Sequence, residues 1–281
     1  MTRNIIEPHA VEAFRHYLID EERSKETIQK YLHDVKSFLG FLGGVSPGKD
    51  EVLAYKKHLM ENYAPASVNS MIAAINTFFT FHGLTHLKVK PLKIQRSLFA
   101  SPEKELSRGE YQKLLRAAKR KNNERLDLLM QTICGTGIRV SELQYITVEA
   151  VKEGRAEVIG KNKRRTIFIV RELKEILLRY ARKNNITKGW VFISKNGNPL
   201  SRHKIWADMK ALCIDAGVDP RKVFPHNLRH LFARTFYSIE KDLGRLADIL
   251  GHTNVNTTRI YTRECGKEHE RILSKMKLIT S

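Results

Sequence analysis

The chain has 281 residues, 42% of them hydrophobic, with few Gly and Pro (16 and 8), which suffices for one large core or two ordinary ones and excludes a disordered or fibrous chain. Fifty Lys and Arg against thirty Asp and Glu leave a net charge of +20, a field that attracts polyanions, chiefly nucleic acid, unless it only reflects lysine-rich solvated faces. No apolar run approaches the ~20 residues that span a bilayer, no signal-peptide core follows Met1-Thr2-Arg3-Asn4, and Cys134, Cys213 and Cys265 form no Cys-x-x-Cys pair, so the expectation is a cytoplasmic protein (nuclear if its source has a nucleus) with no membrane segment, disulfide framework or metal site.

In chain order, Val11, Phe14 and Leu18 share one helical face. Ile28, Tyr31, Leu32, Val35, Phe38 and Leu39 repeat with the same period, followed by Val52, Leu53 and Leu59, then by Val68, Met71, Ile72, Ile75, Phe78 and Phe79. Breaks fall at Gly43-Gly44, at Ser46-Pro47-Gly48, at Pro65 and at Gly83. Residues 1–87 therefore read as a small bundle of four helices without a cluster suited to catalysis. Residues 88–104 lose the helical period and carry positive charge, including Lys88 and Lys90. They read as an extended basic linker, either laid along a phosphate backbone or simply solvated.

The second domain, 105–281, opens at a capping box, Ser107-x-x-Glu110, with a helix to about Lys121. Another helix runs from about Glu124 to Cys134 and stops at Gly135-Thr136-Gly137. A short helix is expected to carry Arg139, Glu142 and Leu143. Ala156–Ile159 and Thr166–Val170 read as two strands of a hairpin around the charged turn Gly160-Lys161-Asn162-Lys163-Arg164-Arg165. Helices are expected near 171–184, 202–216, 226–239, 241–250, 254–262 and 267–278. The fold class is mainly α with a small antiparallel β-sheet: an N-terminal helical bundle followed by a mixed α/β domain.

His226, Arg229 and His230 stand at i, i+3 and i+4, so they share a helical face next to Pro225, a residue suited to a helix start. Basic groups there could bind a phosphate together with free backbone N–H groups; each alone could equally be a structural histidine or a surface arginine. His230 reads as a buried hydrogen-bonding residue. Glu142 lies within reach of Arg139 and could orient its guanidinium, whose planar fork matches two phosphate oxygens; an ordinary surface ion pair is the alternative. A lysine at the hairpin tip, Lys161 or Lys163, sits among other cations that lower its pKa, so it could give a proton to a leaving group, or it could merely be a charged turn. Tyr261 is the candidate nucleophile, with half-buried packing as its duller fate. Its segment, Asn254 to Thr262, is rich in weak helix formers. The nucleophile is thus expected on a loosely held segment, away from the phosphate until a neighbour docks.

Taken together, Thr136-Gly-Ile-Arg-Val-Ser-Glu-Leu143, Gly160-Lys161, His226-x-Leu-Arg229-His230, Leu250-Gly-His252 and Tyr261 resemble the tyrosine site-specific recombinases, the phage integrase family. Order, spacing and distance from the C-terminus all agree, and the resemblance covers nearly the whole chain. The compact form looks most like the Xer group that resolves chromosome dimers, an archaeal Xer among its forms, with a phage or integron integrase as the nearest rival. One departure is the hairpin run Gly-Lys-Asn-Lys-Arg, a residue shorter than the family's Gly-Lys-Gly-x-Lys, which leaves the proton donor as Lys161, the preferred choice, or Lys163.

What the resemblance implies is a catalytic domain of the DNA breaking-rejoining type and an N-terminal domain that binds core DNA. Tyr261 would attack a phosphodiester to give a 3′-phosphotyrosyl bond. Arg139 and Arg229 would clamp the non-bridging oxygens, His226 would take part in proton transfer, His252 would hydrogen-bond the phosphate, and Lys161 would protonate the leaving 5′-oxygen. Lys163, Arg164, Arg165, Lys88 and Lys90 are further candidate DNA contacts. No cofactor, metal or ATP is implied. The partners would be double-stranded DNA carrying a specific site and a homotetramer on two such sites, the tail with Ile272, Leu273, Met276 and Ile279 docking on a neighbour. The rivals are relaxation of the type IB topoisomerase kind, which religates without a partner site, and a non-catalytic DNA-binding protein, against which the five blocks argue.

Overall fold

The computed structural model of the chain describes residues 10–94, 102–159, 164–252, 254–262 and 274–275. Lys161 and Lys163, and the tail residues Ile272, Leu273, Met276 and Ile279, lie outside the described residues, as does most of the helix expected over 267–278. The chain divides into two compact units, Met1–Arg96 and Ser97–Ser281. Among the described residues no helix is long and apolar enough to cross a membrane.

The first unit holds α1 (Ala10–Asp20), α2 (Lys25–Leu42), α3 (Lys49–Asn62) and α4 (Pro65–Phe81). Ser24 accepts a hydrogen bond from the Thr27 N–H to start α2, and Gly43 ends it in the left-handed region at φ 57°. Pro65 opens α4, where its missing N–H costs nothing. The periodic residues converge as expected: Phe14 meets Phe78 edge-on at 5.1 Å, and Phe38 meets Phe79 at 5.7 Å. Leu53 departs from its expected place and stays 47% exposed, because the inner face of α3 is Val52, Tyr55 and Leu59.

The start of the linker is not free. Asn76 accepts from the Val89 N–H at 3.0 Å and donates to the Val89 carbonyl at 2.8 Å, and Asn69 pairs in the same two-way manner with Leu92. Lys56 Nζ donates to the Lys90 carbonyl at 2.7 Å. The extended segment is thereby held on its own bundle, with the Lys88 and Lys90 side chains exposed. Asparagine amides can replace a strand partner for an extended backbone, which helical periodicity does not reveal.

The second unit begins with α5 (Arg108–Arg120) and α6 (Glu124–Thr136). Both halves of the Ser107–Glu110 capping box form, at 3.2 and 2.8 Å. Within the expected stop Gly135-Thr136-Gly137, Gly137 ends α6, because it is the residue with positive φ (66°); a Cβ on it would lie 2.5 Å from the Phe232 ring. Arg139 then caps a 3-10 turn, Val140–Tyr145, rather than a short α-helix. Helix α7 (Val148–Glu153) was not anticipated; Thr147 caps it and Gly154 ends it. Strands β1 (Arg155–Ile159) and β2 (Arg164–Phe168) pair antiparallel, with Ala156 opposite Ile167 and Val158 opposite Arg165. Helix α8 (Arg171–Lys183) follows. The helix expected over 202–216 breaks at Leu212 into α9 (Arg202–Ala211) and α10 (Cys213–Ala216). Last come α11 (Pro225–Glu240), α12 (Leu243–Leu250), α13 (Val255–Thr258) and a 3-10 turn, Arg259–Thr262. Most of the unit shares one apolar core, while Ala233, Leu246, Leu250 and Tyr261 form a separate small cluster.

Candidate active site

Four stretches far apart in sequence meet around the C-terminus of α12. That end leaves carbonyls without intrahelical partners and carries the negative pole of the helix dipole. Two arginines take it up. Arg229, 1% exposed on α11, donates to the Leu250 carbonyl at 2.7 Å and to the Gly137 carbonyl. Arg165, on the inner face of β2, donates to the same Leu250 carbonyl and to that of Ile249 at 3.4 Å. Gly251 turns the chain away at φ 64°, and a Cβ there would lie 2.6 Å from the Arg165 side chain. No other residue fits this corner without displacing Arg165.

Glu142 binds the third arginine into the group. It accepts from Arg139 Nη1 at 2.9 Å and from the Arg139 backbone N–H at 2.9 Å, and it pairs with Arg165. One carboxylate thus orients two guanidiniums. Arg139 keeps 39% of its side chain exposed and faces a cleft of about 470 Å³, lined also by Arg164, Arg165, Asp248 and His252. Cations outnumber anions here. Burial first, then the charges of Arg139 and Arg165, push the Arg229 guanidinium down to about 10. An anion entering this cleft would offset that repulsion.

The histidines and the phenol complete the site. The His226 ring, open to solvent, lies 4.4 Å from His230, and His230 meets Tyr261 edge-on at 4.7 Å. His252 stacks on Tyr261 at 6.0 Å, accepts from Arg229 at 3.1 Å and bonds Thr258 at 2.8 Å. Partial burial and the charges of Arg229 and Arg139 lower His226 below its ordinary value, and desolvation takes His230 and His252 down to about 4. Imidazoles so depressed are neutral at pH 7, each with one ring nitrogen free to accept a hydrogen bond.

Tyr261 is 4% exposed and packs on Ala233, Leu246 and Leu250. The expectation of a loosely held nucleophile, away from the site, is corrected. Its segment has weak helix propensity, but burial of the ring and of Thr258 supplies by packing what propensity lacks. Arg165 is a second correction. Expected as a DNA contact, its side chain is 9% exposed and engaged with Glu142 and α12. Strand alternation held the signal, since Arg165 shares its face with Ile167. Thr258 was missed, and a threonine in a weak helix carries no mark of such a role. Arg164 stays exposed at the rim of the cleft.

The depressed histidines bear on stability. Between pH 6.5 and about 4 the unfolded chain binds protons that folded His230 and His252 refuse, so stability is full above pH 6.5 and falls as pH drops through this window. Thermal melts should show a lower Tm at pH 5 than at pH 7. His230→Phe, which keeps the ring packing, should flatten the slope; an unchanged slope would remove His230 from this account.

The profile of the phage integrase family matches residues 104–268, and that of the phage integrase N-terminal SAM-like domain matches residues 11–83. Tyrosine recombinase XerA of Pyrococcus horikoshii is 32% identical over 98% of this chain and 96% of its own. Among solved structures, a lambda integrase dimer bound to a COC′ core site superposes with a TM-score of 0.74 at 18% identity, covering 92% of this chain and 95% of that one. A post-cleavage complex of XerH site-specific recombinase with a palindromic difH substrate gives 0.71 at 18% identity, covering 98% and 91%. At that identity the two structures speak for the fold alone.

Proposed function

Because this chain belongs to the phage integrase family of tyrosine recombinases, we propose that it exchanges DNA strands between two specific sites by cutting and rejoining phosphodiester bonds. The observation that carries the reading is the convergence of Arg139, Arg229, His252 and Tyr261, from separate elements, on one cationic corner. In this reading the Tyr261 oxygen attacks phosphorus and the bond to the 5′-oxygen breaks, leaving a 3′-phosphotyrosyl link and a free 5′-hydroxyl. Negative charge grows on the non-bridging oxygens as the phosphorus becomes five-coordinate, and two guanidiniums fixed beforehand lower that barrier. Arg139 offers the open fork, and Arg229 acts from the buried side. His226, neutral and open to solvent, takes the phenol proton. His252 donates to a phosphate oxygen. Lys161, or failing it Lys163, protonates the leaving oxygen. The link conserves a phosphodiester, so a 5′-hydroxyl from the second site reverses the step without ATP.

The assembly in this proposal is a homotetramer on two duplex sites with each C-terminal tail docked on a neighbour, and its task is resolution of chromosome dimers in the cytoplasm. Likeness to an archaeal XerA over nearly the whole chain supports it. Lys88 and Lys90, exposed on the first unit, Arg164 at the cleft rim, and Lys163 are proposed DNA contacts.

The test is covalent capture. Wild-type protein mixed with DNA of its source and then denatured should retain DNA by a 3′-phosphate, and sequencing should return one site. Absence of covalently held DNA would overturn the reading. Affinity for that site should also fall by about 10³-fold or more between 50 and 200 mM salt, through counterion release at some six to ten phosphates. A flat titration would dispose of the phosphate contacts.

A further inference from the structure

His252 is held between a group that can only donate and a group that can do both. A guanidinium has no acceptor. The 3.1 Å contact with Arg229 therefore meets a lone pair on His252 Nε2. The ring is neutral, so its proton sits on Nδ1 and is donated to Thr258 Oγ1 at 2.8 Å. That tautomer suits the site without DNA, but it is the wrong one for holding a phosphate. A phosphodiester oxygen accepts, so Nε2 must then carry the N–H and Nδ1 must become an acceptor.

Few partners tolerate that exchange. A backbone carbonyl would accept from Nδ1 but never donate to it, and an amide N–H would do the reverse; a hydroxyl does both by rotating. Thr258 is 0% exposed, so no water replaces its hydroxyl, and it ends α13, three residues before Tyr261 on the turn that follows directly. The Tyr261 ring stacks on the same imidazole, so ring and hydroxyl hold His252 from two sides.

We propose that Thr258 is a positioning residue whose hydroxyl holds the His252 ring through both tautomers, so that the histidine can turn an N–H towards the DNA phosphate without losing its place beside Tyr261. The ring is neutral before and after the exchange: it gains a proton at Nε2 from solvent at the cleft and gives up the Nδ1 proton to the same solvent in a brief swing away from Thr258, whose bond then re-forms in the opposite sense. The inference rests on the phosphate-binding role given to His252 above.

The experiment is a double-mutant cycle on the full chain, read as single-turnover cleavage of a nicked duplex and, separately, as DNA affinity. Thr258→Val should slow cleavage about tenfold at unchanged affinity, the scale of one hydrogen bond. Thr258→Ser should restore the rate to within about twofold. In a His252→Ala background, Thr258→Val should cost nothing further. Full activity in Thr258→Val beside a slow His252→Ala overturns the inference and leaves the reading of the site intact. Losses that multiply, or a Ser variant as slow as Val, overturn it too, since Thr258 would then act on the turn itself. A His252→Ala variant as fast as wild type removes the phosphate role of His252, and the inference falls with it.

Discussion

Tyr261→Phe should abolish covalent protein–DNA complexes on a nicked suicide duplex while leaving DNA affinity within about twofold. The substitution removes one oxygen. The ring keeps its place among Ala233, Leu246 and Leu250 and its contacts with His230 and His252, so the variant should fold and melt like the parent. No cation is lost, and counterion release sets most of the affinity. Without the phenol oxygen no phosphotyrosyl bond can form, and no described neighbour in the cleft offers another oxygen or sulfur nucleophile of comparable strength. Denaturing gels of the two proteins on one labelled duplex settle the matter. Covalent complex surviving at the parent's level would reassign the nucleophile, and lost affinity would mean that Tyr261 serves binding instead.

Arg229→Lys has the second-largest expected effect, and it acts on two levels. The guanidinium spreads its donors over the Gly137 and Leu250 carbonyls and the His252 imidazole. A lysine ammonium is a single point and cannot span three acceptors lying in different directions. Leaving one buried carbonyl unsatisfied costs about 1–3 kcal/mol, so the Tm should fall by several degrees. Losing one fixed donor to a developing oxyanion costs about 10²–10³-fold in rate. Single-turnover cleavage at saturating DNA separates the two: the rate should drop by that factor at a temperature where the variant is fully folded. A variant that melts earlier but cleaves normally would confine Arg229 to a structural part, capping α12 and leaving the phosphate to Arg139.

What was legible in the sequence is whatever depends on near neighbours. The period of Phe14, Leu18, Val35, Phe38 and Phe78 gave the bundle, because a helix that must bury one face writes that face every three or four residues. The capping box at Ser107 and the Arg139–Glu142 pair span three positions each and form as read. The order of the five blocks carried the family. Some departures were also local: α6 runs two residues past Cys134 before Gly137 stops it, and the helix over 202–216 breaks at Leu212, where neighbouring residues compete on nearly equal terms.

The rest belongs to contacts that no local pattern encodes. Arg229 reaches Gly137 across 92 positions, and Arg165 reaches Leu250 across 85. Asn69 and Asn76 pin the start of the linker across 23 and 13 positions. By itself the sequence determined most of the helices, the hairpin and the family, and it singled out the residues proposed to carry the chemistry. The tertiary structure alone decided that Arg165 faces inward to share Glu142 with Arg139, that Tyr261 is seated, and that His252 has Thr258 behind it. The physical reason is the open end of α12: the carbonyl of Leu250, a fully buried residue, needs a partner that the helix itself does not supply, and two arginines brought from distant elements provide it, which gathers these side chains at that point.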